Sequence, residues 1–577
     1  MSDFNMQTSV KRSPFMGAFY VANTMEIFER LAWYGFFTLS SLYMTSPTAA
    51  GGLGFSDQQR GFLQGMIPFL LYLLPVITGA LADRYGYRRM FLLAFAIMAP
   101  SYYLLGQVRD FWAFFAVFLA VAVGAACFKP VVVGTIGRTT DDTNRGLGFG
   151  VFYTMVNVGG FLGPLVAGYV RAISWDMVFV MSSLWILLNF VPAIFFYKEP
   201  RHAGEAADTR SLRQVLQDTQ EVLGNGRLAL LVVPAIIGIM VAAKGGISYA
   251  TYGIAMGAWI AINLLWSAVL SQPQASDWYR QPVKLGNTPF VLYLMIMTGF
   301  WTMYNQLFIT MPLYIRDFVD TGDLVRMISN YWPSALDFLA NVNQEHLAKA
   351  LTELAGKLPA DNSVAALETL RLELVNYKVM VPADVLHQGL SALAQQQISA
   401  VELAQRWTGA YRQVNPEYIV NLDFGAVVLM QIAISAYIQR WSALPVLVFG
   451  TLVLGASMVL GGASYAMVSG GSVVACAVIL FALGEMIASP KSQEYVAAIA
   501  PRQKTAMFMG YYFVSMALGN LFAGLLSGWA YQTLARDMHQ PLMMWCVFGA
   551  IGLVTAVAMI ALNQYLRTRP ASVMKTA

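Results

Sequence analysis

Runs of about 20 apolar residues, the length that carries an α-helix across a bilayer, recur along the chain from about Phe15 to Tyr565. We count fourteen of them. They restrict the fold more than any other feature, because most of their surface must lie against lipid or against each other. Hydrophobic residues make up 57% and charged residues 12% of the 577 positions, both far from the composition of soluble domains. The expected fold class is an all-α membrane protein. The first run carries Glu26, Glu29 and Arg30, which would spoil the apolar region of a cleaved signal peptide, so it should stay in the mature chain.

The net charge of +5 does not point to a nucleic-acid partner. Arg84, Arg88, Arg89, Arg138, Arg145, Lys198, Arg440, Arg502 and Lys504 fall in alternate connections between spans. This is the positive-inside pattern, and it predicts that both termini are cytoplasmic. Cys127, Cys476 and Cys546 each sit in a different span without metal or redox spacing, and are expected to pack as buried thiols.

Six spans fill 1–197, followed by a charged cytoplasmic linker, 198–227, and an extra hairpin with its connection, 228–286. A seventh core span occupies 287–315, a polar insertion 316–414, and the remaining core spans and tail 415–577. This six, two, six plan suggests a transporter built from two bundles with a substrate site near the midplane between them. Within the insertion, apolar residues recur at helical spacing. Several amphipathic helices are expected there, extracytoplasmic by span count, acting as a cap or as a surface for an extracytoplasmic partner.

Between the second and third spans stands Gly79-Ala-Leu-Ala-Asp83-Arg84-Tyr-Gly86-Tyr-Arg88-Arg89, which resembles the signature loop of the major facilitator superfamily. That resemblance implies a core of twelve helices in two six-helix bundles. It also implies a cytoplasmic conformational latch formed by Asp83, Arg84 and Arg88.

Glu26, Glu29 and Arg30 stand at i, i+3 and i+4, one face of the first helix, and Tyr34 continues that face. An ionised side chain in mid-membrane costs about 2.5 to 3.5 kcal/mol, so three unpaired ones could approach roughly 9 kcal/mol. They must face a wet cavity with partners. Lys129, beside Pro130 in the fourth span, is a further cation for the surplus acid. The plainer alternative is a salt bridge that ties the first helix to a neighbour.

Glu26-Ile-Phe-Glu29-Arg30-Leu-Ala-Trp33-Tyr34-Gly35 resembles the first-helix signature of proton-coupled oligopeptide transporters, with Leu31 and Trp33 departing conservatively. Further matches run in order through Tyr72, Phe128-Lys129-Pro130, Asn157-Val-Gly159, Phe300-Trp301, Asn415-Pro416 and Gly484-Glu485 to Ser489-Pro490. The extra hairpin resembles that of the bacterial members, whereas the 316–414 insertion matches nothing in them. The resemblance implies an importer of di- and tripeptides in a bacterial inner membrane, driven by protons, with small peptides, protons and the lipid bilayer as its partners.

The same resemblance implies that Arg30 and Lys129 hold the peptide carboxylate and that Glu485, in the opposite half, holds its ammonium. Tyr34, Tyr72 and Asn157 match residues that hydrogen-bond the peptide backbone, and Trp301 matches a pocket wall. Asn305, Asn415 and Ser489 fall at site positions as well. No histidine lies in a span, so proton coupling would fall to Glu26, Glu29 and Lys129. At Asn305 many relatives carry an acid, and asparagine cannot titrate. Asp423, about two turns into the eighth span, is the expected replacement. An ion pair with Lys491 is excluded as its explanation by a depth difference of roughly 15 Å.

Two other readings remain at this level. One is a major facilitator carrier for another small solute, a modified peptide or an organic anion, with altered or absent coupling. The other is a membrane receptor or assembly protein that no longer transports. No nucleotide loop, metal cluster or paired nucleophile points to an enzyme, a cofactor or a metal.

Overall fold

The computed structural model describes residues 15–141, 144–200, 223–243, 245–272, 275, 277–358, 364–499 and 505–567. Most of the 198–227 linker, Arg502, Lys504 and the side chains of Asp83 and Arg145 lie outside the described residues. Among the described residues there are helices and two isolated bridges, Gly224 to Leu285 and Val379 to Arg412, but no strand. This is the solution lipid imposes, since every backbone donor and acceptor must be satisfied within the segment.

The first half contains α1 (Gly17–Thr45), α2 (Asp57–Leu73), α3 (Pro75–Tyr85), α4 (Tyr87–Gln107), α5 (Phe111–Arg138), α6 (Arg145–Arg171) and α7 (Trp175–Leu188). The hairpin α8 (Gly226–Ala243) and α9 (Tyr249–Val269) follows. The second half begins with α10 (Thr288–Tyr304), α11 (Gln306–Ile309) and α12 (Met311–Phe318). After the insertion it resumes with α19 (Pro416–Val420), α20 (Leu422–Ile438), α21 (Ala443–Ala463), α22 (Gly470–Ile499), α23 (Thr505–Ala530) and α24 (Pro541–Arg567).

Eleven helices among the described residues are long and apolar enough to cross a membrane. The first span carries three charges, and the second and seventh are interrupted before Pro75 and Pro312. These three complete the fourteen expected. In α8 and α9 only 17% and 6% of the most apolar stretch is buried, so the hairpin packs on the outside and presents itself to lipid.

The insertion forms α13 (Gly322–Tyr331), α14 (Leu336–Leu339), α15 (Gln344–Gly356), α16 (Val364–Leu374), α17 (Ala383–Ala394) and α18 (Ala400–Tyr411). Leu347, Leu351, Leu374, Leu386, Leu390 and Trp407 build an apolar core separate from that of the spans. Arg316 and Asp317, placed by sequence at the start of the insertion, belong instead to the last turn of α12. Their side chains pair with each other at 2.6 Å. The Phe338 ring stacks on Tyr169 of the first half and on Tyr418 of the second, with centroids 5.9 and 5.0 Å apart. The insertion therefore touches both halves.

On this insertion side the halves are also joined directly. Arg60 of α2 donates to the Ile309 carbonyl at 3.0 Å and to Ser527 Oγ at 3.0 to 3.1 Å. Arg536 pairs with Asp57 at 2.8 Å. Arg60 is a fully buried charge, but it follows the polar run Ser56-Asp57-Gln58-Gln59, so nothing local marks it in the sequence.

Cys127 is buried, but Cys476 and Cys546 are exposed, correcting the expectation that all three pack inside. Hydrocarbon accepts a weakly polar thiol much as a protein core does.

Candidate functional site

The charged face of α1 is positioned by close helix packing. A Cβ on Gly159 of α6 would meet the Arg30 Cβ at 2.5 Å, and one on Gly163 would meet the Gly35 amide nitrogen at 2.9 Å. Only glycine lets α6 approach this near. Glu26, Glu29 and Arg30 are all buried. Arg30 lies 3.3 Å from Glu26, pairs directly with Glu29, and sits 5.6 Å from the centre of the Tyr34 ring. The structure thus brings the α1 triad together as one paired group, and the triad stays inside its own half.

Lys129 comes from α5 and faces the same group. Its Nζ stands 4.2 Å from the centre of the Tyr72 ring, a cation–π contact, and within electrostatic reach of Glu26. Asn157 donates to the Tyr153 carbonyl at 2.8 Å. Tyr153 remains 37% exposed, so this wall of the site is open to solvent or ligand.

From the second half come Glu485 of α22 and Asp423 of α20, buried and hydrogen-bonded to each other. The Tyr304 hydroxyl donates to Glu485 Oε1 at 2.8 Å. Tyr34 reaches across: it lies within electrostatic reach of Arg30, Tyr72 and Glu485, and its ring packs on Phe424 with centroids 4.8 Å apart. Cationic groups of one half and carboxyl groups of the other therefore face one another about Tyr34. Lys491 pairs with Glu494 at 2.8 Å and donates to the Trp441 carbonyl at 2.9 Å, so it makes no contact with Asp423.

Other expected residues fall near this group or away from it. The Trp301 ring lies 5.0 Å from that of Tyr304, and a Cβ on Gly519 would meet the Trp301 Cβ at 2.3 Å, so Trp301 stands as a wall between α10 and α23. Asn305 donates to the Trp301 carbonyl at 2.7 Å, and Ser489 lies one turn beyond Glu485 on α22. Asn415 is not brought to the site. It precedes α19, donates to Asn341 of the insertion at 3.3 Å, and stands about 12 Å along the helix axis from Asp423. The break before Pro416 places it where the spans meet the insertion.

The loop residues bind within their own half. Arg88 donates to the carbonyls of Ala193 and Ile194, and the Tyr87 amide donates to Glu199 at 2.9 Å. Arg84 is exposed over Tyr85. Tyr304 and Phe424 were not singled out from sequence. Tyr304 lies three residues after Trp301, on the same helix face, which is the signal that could have found it.

Four similarities to known proteins bear on this arrangement. A chain described as an uncharacterized transporter of Bacillus subtilis is 26% identical over 201 residues, covering 33% of this chain and 41% of that protein. A peptide transporter of Yersinia enterocolitica is 22% identical over 531 residues, covering 87% and 86%. This chain thus spans about two fifths of the first and most of the second. A crystal structure described as a POT family transporter with a thioalcohol-conjugated peptide superposes with a TM-score of 0.62 at 16% identity, covering 96% of each chain. The family model for the Major Facilitator Superfamily matches residues 30–331, just over half of the sequence, and with two helical halves facing each other across a charged midplane the chain belongs to that superfamily.

Proposed function

We propose that this protein imports di- and tripeptides with protons by alternating access, from an inner membrane in which both termini are cytoplasmic. The observation that carries the reading is the opposition of Arg30 and Lys129 in one half to Glu485 in the other. A zwitterionic peptide has a carboxylate at one end and an ammonium at the other. A fixed cation and a fixed anion facing each other suit its ends and leave its side chains free to vary. The planar fork of Arg30 suits a carboxylate. Tyr34, Tyr72 and Asn157 then serve the peptide backbone, and Trp301 closes a wall.

Clamping both ends draws the halves together, which is the motion alternating access requires. Glu26 and Glu29 carry the transported proton, because a peptide carboxylate that takes Arg30 leaves one of them without its cation. Asp83, Arg84 and Arg88 stabilise the loop side, while the insertion braces the opposite side through Phe338. The chain acts as a carrier without cofactor or catalysis.

The test is uptake of labelled dialanine into proteoliposomes, with and without an inward proton gradient. Gradient-driven uptake abolished in Arg30→Ala and Glu485→Ala is the expected result. Neither uptake nor counterflow by folded wild-type protein would overturn the reading in favour of another small solute.

A further inference from the structure

Among the described residues, Asp423 and Glu485 are an acid pair without a cation of their own. They are 1% and 8% exposed, and their carboxyl groups hydrogen-bond each other. Asp423 Oδ1 and Glu485 Oε2 find no donor among the surrounding backbone and neutral side chains. A carboxylate has only acceptors, so this contact requires a proton on one of the two, as in other buried carboxyl dyads. The groups facing the pair are Tyr34 of α1, Tyr153 of α6 and Tyr304 of α10. Across the site Arg30 is committed to Glu26 and Glu29, and Lys129 to the Tyr72 ring.

Counting charge gives the consequence. With one shared proton the pair carries a single negative charge, and Glu26, Glu29, Arg30 and Lys129 sum to zero. A peptide adds an ammonium beside the pair and a carboxylate beside Arg30. The ammonium disfavours the shared proton, as one cation disfavours another at the same acid. The carboxylate competes for Arg30 and leaves a buried glutamate uncompensated, which is costly unless it takes up a proton.

We propose that peptide loading moves one proton from the Asp423–Glu485 pair to the Glu26–Glu29 pair, so that each half keeps its net charge as substrate binds. The proton leaves the carboxyl dyad as the ammonium replaces it, and it joins the glutamate whose guanidinium has turned to the peptide carboxylate. Tyr34 lies between donor and acceptor. Peptide and proton then occupy the same carrier, which symport demands, and Asp423 supplies the acid that Asn305 cannot. This rests on the peptide reading above, except for the shared proton itself, which is a property of the empty site.

Two measurements separate the parts. Infrared spectra of peptide-free protein at about neutral pH should show a protonated-carboxyl C=O band in wild type that Asp423→Asn removes and Asp423→Glu retains. A wild-type spectrum unchanged by Asp423→Asn overturns the shared proton, whatever the substrate. Dialanine binding, followed with a pH dye in weak buffer, should exchange almost no net proton in wild type. The same binding to Asp423→Asn should take up about one proton per peptide from solution. Equal proton exchange by wild type and Asp423→Asn overturns the transfer. If wild type fails to bind dialanine, the peptide reading and with it the transfer are overturned, while the infrared band still decides the pair.

Discussion

Arg171 Nη1 lies 3.0 Å from Glu417 Oε2, joining the end of α6 in the first half to the start of α19 in the second, with both side chains largely buried. Arg171 is also stacked on Trp175 at 4.7 Å, so its position is fixed from its own half before it meets Glu417. In the closed arrangement, removing the guanidinium leaves a buried carboxylate without its paired cation, while the Lys378 amine stays within electrostatic reach. Arg171→Met should therefore shift the equilibrium toward opening on the insertion side by about 2 to 5 kcal/mol. Arg171→Met with Glu417→Met should restore most of the closed population. Spin-label distances between the halves on that side are the measurement.

Closure also depends on the approach of α2 to α23. Gly61 and Gly65 face Gly524 and Gly528, each pair four residues apart, and a Cβ on Gly524 would meet the Gly65 amide nitrogen at 2.3 Å and the Gly61 carbonyl oxygen at 2.4 Å. These are backbone atoms, which cannot rotate away as a side chain can. Gly524→Val should force the helices apart and make the facing surface of α2 accessible. A cysteine placed at Ser527, which is buried against Arg60 of α2, should then react faster with a water-soluble maleimide than in the parent.

Lys378 belongs to the insertion, and it is partly buried beside Arg171, with Asn341 as its hydrogen-bond partner. Burial, and then the Arg171 charge, lower its pKa from 10.5 to about 7, and Glu417 offsets this only in part. Below about pH 7 the folded chain must protonate this partly buried amine, so the full destabilisation is present there. Between about 7 and 10.5 the unfolded chain binds the extra proton, and stability rises with pH. Lys378→Met should raise the thermal midpoint at neutral pH by a few degrees, an advantage that shrinks as pH approaches 10. A constant advantage across that range would show that the gain comes from packing alone.

Spans, their breaks and the α1 triad were legible because each rests on a local rule: length against the bilayer, proline at a helix start, and the cost of charge in lipid. The carboxylate-holding role of Arg30 and the singling out of Glu485 came by resemblance, and both residues lie within electrostatic reach of Tyr34. The partners of Asp423 were not legible. Its contact with Glu485 joins residues sixty-two positions apart on different helices, and a pairing of two acids breaks the rule that buried charges seek opposite charges. Asn415 was misjudged because sequence order puts it at the head of a span, whereas the chain's depth there is set by the insertion folding down onto it.

Tyr304 tests the second-half side of the site without removing a charge. Its hydroxyl donates to Glu485 at 2.8 Å, and its ring is held between Trp301, Phe308 and Phe481, so Tyr304→Phe should leave the packing in place. The lost donor frees one Glu485 oxygen and lets the carboxylate turn from the position that would meet an ammonium. A hydrogen bond to a charged group contributes about 1.5 to 3 kcal/mol, but an arriving ammonium supplies a donor in its place. The net loss should therefore fall near 1 to 1.5 kcal/mol, or roughly five- to tenfold in KM for dialanine counterflow. The maximal rate should change less, because Arg30 and Glu485 still clamp both ends. An unchanged KM would mean that the phenol and the substrate do not share Glu485, and the ammonium would then have to dock closer to Asp423.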